Sequence, residues 1–201
     1  MYMRPFFLLL SLMICFTAMA QRPGDTTNYR REIIYKDKRF RVWNNWMTGG
    51  AGVGYNTKNP HMQAVIGLNF NFHIRARYFR LGGALAGDDL GIRNDYQFHG
   101  AWIFRRSDNE RYHWAHMAGL SYSTMYDFLF PSPIGPVYTN DPVQRVGLYL
   151  ESQLIRKILY DVGIGLSAYA DINAHRQLFG LRADLYFSGA YRGMAKGGKR
   201  K

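Results

Sequence analysis

Histidine and carboxylate side chains are the residues of this sequence best suited to proton transfer. A histidine beside a carboxylate can act as a general base when both line the same cleft. The residues predicted to share one face of the strands described below are His73, Arg75, His99, Arg105, His113, Glu151, Asp161, Arg182 and Asp184. The same residues are also expected if they form a network of mutually paired charges in a narrow protein interior. We favour this second interpretation, because a buried charge without a partner is strongly destabilising.

A serine and histidine pair is a second candidate for chemistry. Ser121 or Ser123 could act as the nucleophile and His113 or His116 as the base, which is what an enzyme acting on lipid A would need. The sequence around these residues matches no motif of such an enzyme. We therefore assign no catalytic residue.

Metal and phosphate sites need spacings that this sequence lacks. The single cysteine, Cys15, lies in an N-terminal apolar segment, and no Asp-rich loop of the calcium-binding type is present. Gly49, Gly50, Gly52 and Gly54 are not followed by Gly-Lys-Ser/Thr, so they do not form a phosphate loop. We expect neither a metal nor a cofactor.

The first 20 residues have the order of a cleavable secretory signal peptide. Arg4 gives a positive start, residues 6–16 are apolar, and Ala18 and Ala20 form a small-x-small cleavage site. The apolar run is too short for a membrane-spanning helix. Cleavage would remove Cys15, so we expect an exported protein without disulfides.

The charge is strongly positive and is concentrated at the two ends of the chain. The formal net charge is +12, and loss of Arg4 with the signal peptide would lower it by one. In a cytoplasmic protein this charge would favour a nucleic acid partner, but export argues against one. We expect the basic termini to contact anionic lipid headgroups or periplasmic and envelope proteins.

Apolar and polar residues alternate along most of the chain after residue 45. Every second residue from Met62 to Ile74, for example, is apolar. A period of two indicates β-strands. The eight predicted strands span residues 46–55, 62–75, 78–87, 95–105, 111–126, 144–154, 160–171 and 177–188. Eight strands close a small barrel, and most of these strands are long enough to cross a bilayer.

The composition of the two strand faces indicates which face meets lipid. A soluble lipocalin-like barrel would turn Lys, Glu and Thr towards water. Between Trp46 and Ser188 the only lysines are Lys58 and Lys157, and both are predicted to lie in connections. The apolar face carries no charge, as lipid exposure requires. We therefore predict an all-β, eight-stranded antiparallel up-and-down transmembrane barrel, with a ten-stranded barrel that includes a hairpin at 30–43 as the alternative.

The lengths of the connections predict the orientation. With both termini periplasmic, the long connection at 127–143 lies outside the cell, as in transmembrane barrels with short periplasmic turns and longer external loops. This loop contains four prolines and the apolar cluster Phe128, Leu129 and Phe130. Long loops on rigid scaffolds often carry function, so these three residues and Tyr138 are candidates for an exposed interaction site.

Together these features resemble the small outer-membrane β-barrel proteins of Gram-negative bacteria, especially the short barrels of the Bacteroidota type. The resemblance covers residues 46–188. The last strand, with Gly180, Ala183, Leu185 and Phe187, is similar to the signal read by the barrel assembly machinery, although 14 residues follow Phe187 where many such chains end. The resemblance implies insertion into outer-membrane lipid by that machinery.

The predicted organisation has four parts. They are a signal peptide at 1–20, a basic periplasmic segment at 21–45, the barrel at 46–188 and a basic flexible tail at 189–201. We expect a non-enzymatic protein of the Gram-negative outer membrane with a structural or interaction role, as a subunit or anchor of an envelope complex. Two alternatives stay open, an outer-membrane enzyme acting on lipid A and a soluble periplasmic lipocalin-like lipid carrier.

Overall fold

The structure is a computed structural model that describes residues 32–58, 61–74, 77–87, 94–126, 128–132, 135–138 and 141–194. The predicted signal peptide and Arg75 lie outside the described residues. The strands are β1 (Glu32–Tyr35), β2 (Lys38–Arg41), β3 (Trp46–Asn56), β4 (His61–Ile74), β5 (Arg77–Gly87), β6 (Asn94–Asp108), β7 (Tyr112–Met125), β8 (Phe128–Ser132), β9 (Gly135–Tyr138), β10 (Val143–Lys157), β11 (Val162–Asn173), β12 (Gln177–Ser188) and β13 (Tyr191–Met194). The described residues form no helix that is long and apolar enough to span a membrane.

Eight long strands form a closed antiparallel barrel in the order β3-β4-β5-β6-β7-β10-β11-β12. The barrel closes between its first and last strands, where Trp46 pairs with Ser188 and Asn56 with Leu178. All eight predicted strands are present, and each predicted boundary lies within three residues of the observed one. The predicted eight-stranded up-and-down barrel is therefore confirmed.

The ten-stranded alternative is wrong. The hairpin of β1 and β2 forms, but it pairs with β13 in a separate three-stranded sheet, which we call the cap sheet. Because β12 pairs with β3 along its whole length, the barrel has no open edge to which a hairpin could add. The turn of the hairpin has positive φ at Lys36 and Asp37, 48° and 58°, as a two-residue type I′ turn requires.

Two regions predicted as irregular contain short strands. Residues 191–194, within the predicted flexible tail, form β13, and Tyr191 lies with its ring centroid 5.9 Å from that of Phe40. The connection between β7 and β10 contains the hairpin of β8 and β9. The candidate interaction residues Phe128, Leu129 and Phe130 lie in β8, and Tyr138 lies in β9. The connection predicted at 127–143 is thus partly ordered as sheet.

The barrel is apolar outside and polar inside. Large apolar side chains such as Ile66, Phe98 and Leu120 are more than 60% exposed, whereas Asn69 and Ser167 are completely buried. This polarity is the reverse of that in a lipocalin-like carrier, whose apolar face encloses the ligand. The soluble-carrier alternative is therefore wrong, because water would have to cover a continuous apolar surface.

A β-bulge in β6 places one predicted lumen residue on the outer face of the barrel. The register between β6 and β7 shifts between Ile103 and Arg105, so Arg105 pairs with His116 on the outward face. Its guanidinium lies 5.3 Å from the centroid of the outward Trp114 ring. The predicted position of Arg105 in the lumen is wrong because strict alternation cannot anticipate an extra residue. Arg106 takes the inward position instead.

The two ends of the barrel differ. We call the end that carries the starts of β3 and β11 and the cap sheet the terminal end, and the opposite end the loop end. Backbone hydrogen bonds from Arg41 to Ala190 at 2.8 Å and from Gly189 to Asn45 at 3.1 Å join the two segments that connect the cap sheet to β3 and β12. Both chain segments that flank the barrel therefore meet at the terminal end.

Candidate functional site

Four charged side chains from three strands meet in the middle of the lumen and form what we call the central charge network: Arg80, Glu151, Arg182 and Asp184. Arg80 Nη1 lies 2.5 Å from Glu151 Oε1, and Arg182 Nε lies 2.6 Å from Asp184 Oδ1. Arg182 Nη2 also lies 3.5 Å from Glu151 Oε1. All four side chains are at most 1% exposed. Two positive and two negative charges therefore neutralise one another without contact to solvent.

Neutral polar groups complete the hydrogen bonding of this network. Arg80 donates to Asn71 Oδ1 at 2.7 Å and to Gln153 Oε1 at 3.1 Å. Tyr149 donates its hydroxyl to Glu151, and Ser167 donates to Asp184. Buried ion pairs are favourable only when their remaining donors and acceptors are also satisfied. The network is built as a packed interior and leaves no lone charge aimed at a substrate.

Glycine residues make room for these groups in the lumen. A methyl group at Gly67 would overlap the guanidinium of Arg182, and one at Gly82 would overlap the side chains of Asn69 and His99. The imidazole of His99 stacks on the Tyr149 ring at 3.8 Å and hydrogen-bonds the Asn69 side chain at 2.9 Å. These glycines therefore allow large polar side chains to fill a narrow lumen.

A second cluster closes the lumen at the terminal end. Asp108 accepts from Arg106 Nη2 at 2.7 Å, and its other carboxylate oxygen lies 2.7 Å from Lys157 Nζ and 3.3 Å from His113 Nδ1. Lys157 is the last residue of β10 and is almost fully buried, so its predicted location in a connection is wrong. The strand is longer than the pattern indicated because Ile155 and Lys157 continue the inward face.

Arg106 also joins the barrel to the segment that leads from the cap sheet. It donates to Tyr78 Oη at 2.8 Å and to the Val42 carbonyl and Asn44 Oδ1, both at 3.3 Å. Its guanidinium lies 4.4 Å from the centre of the Tyr78 ring, and the Trp43 ring stacks on the same tyrosine at 5.3 Å. The chain between β2 and β3 is thus held against the barrel mouth.

The cap sheet packs on the turn between β10 and β11. Phe40 is 5% exposed, and its ring centroid lies 4.4 Å from that of Tyr160. Ile33 and Tyr35 pack beside them. Burial raises the pKa of the Tyr160 phenol, and the nearby Asp108 carboxylate adds to this effect. The terminal end is therefore covered by an aromatic cluster above the Asp108 ion pairs.

Towards the loop end, two further carboxylates accept hydrogen bonds, and one of them also forms an ion pair. Asp171 is fully buried and accepts from the hydroxyls of Ser121 at 2.5 Å and Ser123 at 2.7 Å. Asp95 pairs with Arg176. Among the described residues that are buried, four are basic and four are acidic, so the charges inside the barrel balance: Arg80, Lys157, Arg176, Arg182, Asp95, Glu151, Asp171 and Asp184.

The predicted serine and histidine pair does not come together. His113 lies at the terminal end of β7, and Ser121 is eight residues further along the same strand. At about 3.4 Å per residue the two are roughly 27 Å apart. His116 faces outward, where its ring lies against Trp114 and Phe104. Ser121 and Ser123 serve instead as donors to Asp171.

The remaining predicted residues lie apart from the central network. His73 lies at the terminal end of β4, where both its backbone and ring nitrogens bind Asn45 Oδ1 at 3.1 and 2.8 Å. Asp161 was predicted in the lumen, but it lies in the turn before β11 and accepts from Ser188 Oγ at 2.7 Å. The prediction for Asp161 is wrong because β11 begins at Val162. Of the predicted set, Glu151, Arg182 and Asp184 meet directly.

Several inward residues are absent from the set predicted from the sequence. Arg80 alternates with the outward Leu81, and Tyr149 and Gln153 alternate with Leu150 and Leu154, so the period of two could have placed all of them inside. Asp108 and Arg106 could not be assigned in this way, since both lie beyond the bulge in β6.

Solved structures of other proteins share this barrel fold. No protein-family model and no curated protein matches the sequence. Among solved structures, the N-terminal β-barrel domain of Pseudomonas aeruginosa OprF is similar with a TM-score of 0.51 at 11% identity, over 72% of this chain and 98% of that chain. Neisserial surface protein A gives a TM-score of 0.50 at 10% identity, over 72% of this chain and 95% of that chain. At this identity the likeness shows the eight-stranded barrel fold alone.

Proposed function

We propose that this protein is a non-enzymatic outer-membrane β-barrel that serves as a structural or interaction protein, as a subunit or anchor of an envelope complex. The observation that carries the proposal is the filled lumen. Paired charges occupy it from Asp95 at the loop end to Asp108 at the terminal end. A substrate or solute would have to displace these pairs, so binding to other molecules is left to the surfaces of the barrel.

The outward surface supports insertion into a membrane. Exposed aromatic residues lie near both ends of the barrel, with Tyr55, Tyr96 and Tyr122 towards the loop end and Phe104, Tyr112 and Phe187 towards the terminal end. Between them lie aliphatic side chains such as Leu68 and Leu166, which are about half exposed. An apolar band between two aromatic girdles is the pattern of a transmembrane barrel.

The cap sheet supports an interaction role at the terminal end. It brings together segments from before and after the barrel, and its exposed side chains include Lys36, Lys38, Arg41 and Arg192. In the orientation of outer-membrane barrels this end faces the periplasm. A basic surface held there by a fixed sheet is suited to acidic regions of envelope proteins.

The test is cell fractionation followed by gel electrophoresis with and without boiling. We expect the protein in the outer-membrane fraction, with migration that changes on boiling because the closed barrel resists detergent until it is heated. Cross-linking in intact cells should then capture envelope proteins through the terminal end. Recovery from the soluble periplasm with migration that boiling does not change would overturn the proposal.

A further inference from the structure

Two arginine side chains lie on the outward, apolar face of the barrel near its terminal end. Arg105 follows Phe104 in β6, and Arg156 is the residue before the last in β10, where it pairs with Tyr112. Phe104 and Tyr112 belong to the exposed aromatic residues of this end. Such aromatic girdles lie at the depth of the lipid headgroups, so both arginines are at that depth.

The protein supplies no counter-ion for these two arginines within its described residues. Neither guanidinium forms an ion pair or a hydrogen bond there, and Arg105 Nη1 is buried without a partner. His116, directly opposite Arg105 in β7, is 9% exposed, and its Nδ1 is also buried without a partner. The carboxylates of the described barrel strands all turn into the lumen: Asp95, Asp108, Glu151, Asp171 and Asp184. The anion that neutralises the arginines therefore has to come from outside these strands.

The two arginines flank one tryptophan ring. The Arg105 guanidinium lies 5.3 Å from the centre of the Trp114 ring. On the other side Leu154 of β10 is directly opposite Trp114, and Arg156, two residues further along β10, is its diagonal neighbour. Diagonal neighbours lie about 7–8 Å apart, which is within reach of a long side chain. A phosphate beside the Trp114 ring can therefore accept hydrogen bonds from both arginines.

An apolar groove of about 480 Å³ begins at Arg156 and crosses β10, β11 and β12. Arg156 and Tyr112 line it on the side of the terminal end, and Leu166 and Ala183 line it towards the middle of the barrel. Ala183 lies opposite Leu166, so its small side chain leaves the surface indented. Asp184 also borders the groove, but its carboxylate is buried and faces the lumen. The groove thus places hydrocarbon contacts next to an unpaired guanidinium.

We infer that Arg105 and Arg156 bind the phosphate of an anionic phospholipid from the leaflet at the terminal end, and that one acyl chain of this lipid lies in the groove over Ala183. Charge complementarity identifies the headgroup, because a guanidinium can donate two parallel hydrogen bonds to one phosphate. The groove identifies a lipid as the source of the phosphate, since Arg156 itself lines it. The inference rests on the membrane insertion proposed above, and it adds a site and a ligand class to it.

Native mass spectrometry of the full chain tests this site. The protein is released from detergent micelles that contain equal amounts of dioleoyl phosphatidylglycerol and dioleoylglycerol, which have the same acyl chains and differ in the phosphate headgroup. We expect preferential retention of phosphatidylglycerol. Arg105→Gln and Arg156→Gln should each reduce that preference by about fivefold, the effect of one basic residue near an anionic headgroup. Ala183→Leu, which fills the groove, should reduce retention of both lipids.

Two matched variants serve as controls. Arg77→Gln removes an exposed arginine at the start of β5, at the same end of the barrel but not in the groove. Ala64→Leu enlarges an exposed residue of β4 that does not line the groove. Both should retain phosphatidylglycerol like the unmodified protein. Migration that changes on boiling shows that each variant still forms the barrel.

Any of four results would overturn the lipid site. The first two are equal retention of both lipids and normal retention by the Arg105, Arg156 or Ala183 variant. The third is an equal loss in Arg77→Gln, which would mean that any basic residue at this end attracts the lipid. The fourth is glycerol phosphate that binds as well as phosphatidylglycerol, which would assign the arginines to a soluble anion. A protein that does not insert into micelles at all contradicts the proposed function itself, so the two failures are distinguishable.

Discussion

Arg80 and Glu151 form an ion pair in the middle of the barrel, with 2.5 Å between Nη1 and Oε1 and no exposed surface on either side chain. Glu151 also faces Arg182. Glu151 therefore compensates the buried guanidinium of Arg80 and shares that of Arg182 with Asp184.

Replacement of this carboxylate should destabilise the barrel strongly. Glu151→Gln leaves the buried guanidinium of Arg80 with a neutral partner, while Arg182 keeps its ion pair with Asp184. Loss of one member of a buried pair costs about 3–5 kcal/mol. Urea unfolding in detergent micelles, followed by the shift in gel migration, measures this loss. Glu110→Gln, the same change at an exposed turn residue, is the control and should be within about 0.5 kcal/mol of the unmodified protein. Equal urea midpoints for the two variants would contradict a stabilising ion pair between Arg80 and Glu151.

The filled lumen should not conduct ions. In planar lipid bilayers we expect no channel events from the unmodified protein, because side chains fill the interior of an eight-stranded barrel. The double variant Arg80→Ala with Glu151→Ala removes both members of a pair and leaves neither charge alone. It should produce at most small, brief openings, because the Asp108 ion pairs still close the terminal end. Large steady currents through the unmodified protein would show that the lumen is open.

The cap sheet should loosen when Arg106 is removed. Arg106→Ala loses the hydrogen bonds to Val42 and Asn44 and the contact with Tyr78, while the strands of the barrel remain paired. Limited trypsin digestion in micelles should then cleave within residues 36–41 several times faster. Arg156→Ala, an exposed arginine at the same end, gives the comparison. Unchanged cleavage of the Arg106 variant would mean that the cap is held by Phe40 and its neighbours alone.

Alkaline pH should release the cap through Tyr160. Its pKa lies above the ordinary value of 10.0 because the phenol is buried, so the folded state holds the proton more tightly than the unfolded state does. The stabilisation is complete below pH 10 and is lost as the pH rises towards the pKa of the folded protein. Hydrogen exchange of β2 should accelerate above pH 10 in the unmodified protein and less in Tyr160→Phe. The same acceleration in both would assign the effect to another group.

Substitutions in the turn between β1 and β2 should stabilise the hairpin. Lys36 and Asp37 both have positive φ, which costs a non-glycine residue conformational energy. Lys36→Asn with Asp37→Gly supplies the residues that a type I′ turn prefers and should stabilise the hairpin by about 1 kcal/mol. Slower hydrogen exchange of β1 is the expected result. Faster exchange would show that the two native side chains make contacts that outweigh their backbone strain.

The barrel could be predicted because its signal is local. Alternation within Met62 to Ile74 records which residues face outward, and the same pattern in eight segments gives the strand number. Neighbour pairing then follows from chain order, since each strand turns back on the previous one. The charged residues Glu151, Arg182 and Asp184 could be placed inside by parity alone.

The features that escaped prediction depend on contacts between distant parts of the chain. The bulge after Ile103 reverses the positions of Arg105 and Arg106, and nothing in the alternation around it marks the extra residue. The cap sheet needs Tyr191 to pair with Phe40, although the whole barrel sequence lies between these two residues. The hairpin itself was visible in the sequence, but its partner strand was not.

Fluorescence quenching by brominated lipids tests most directly whether the apolar outer face meets lipid. Trp102 faces outward near the middle of β6 and is 51% exposed, whereas Trp46 is buried at the terminal end. In proteins that keep one of these two tryptophans and have phenylalanine at the other three tryptophan positions, bromine near the bilayer centre should quench Trp102 strongly and Trp46 weakly. Equal quenching of both, or quenching of neither, would contradict a barrel that spans the membrane with its polar side inward.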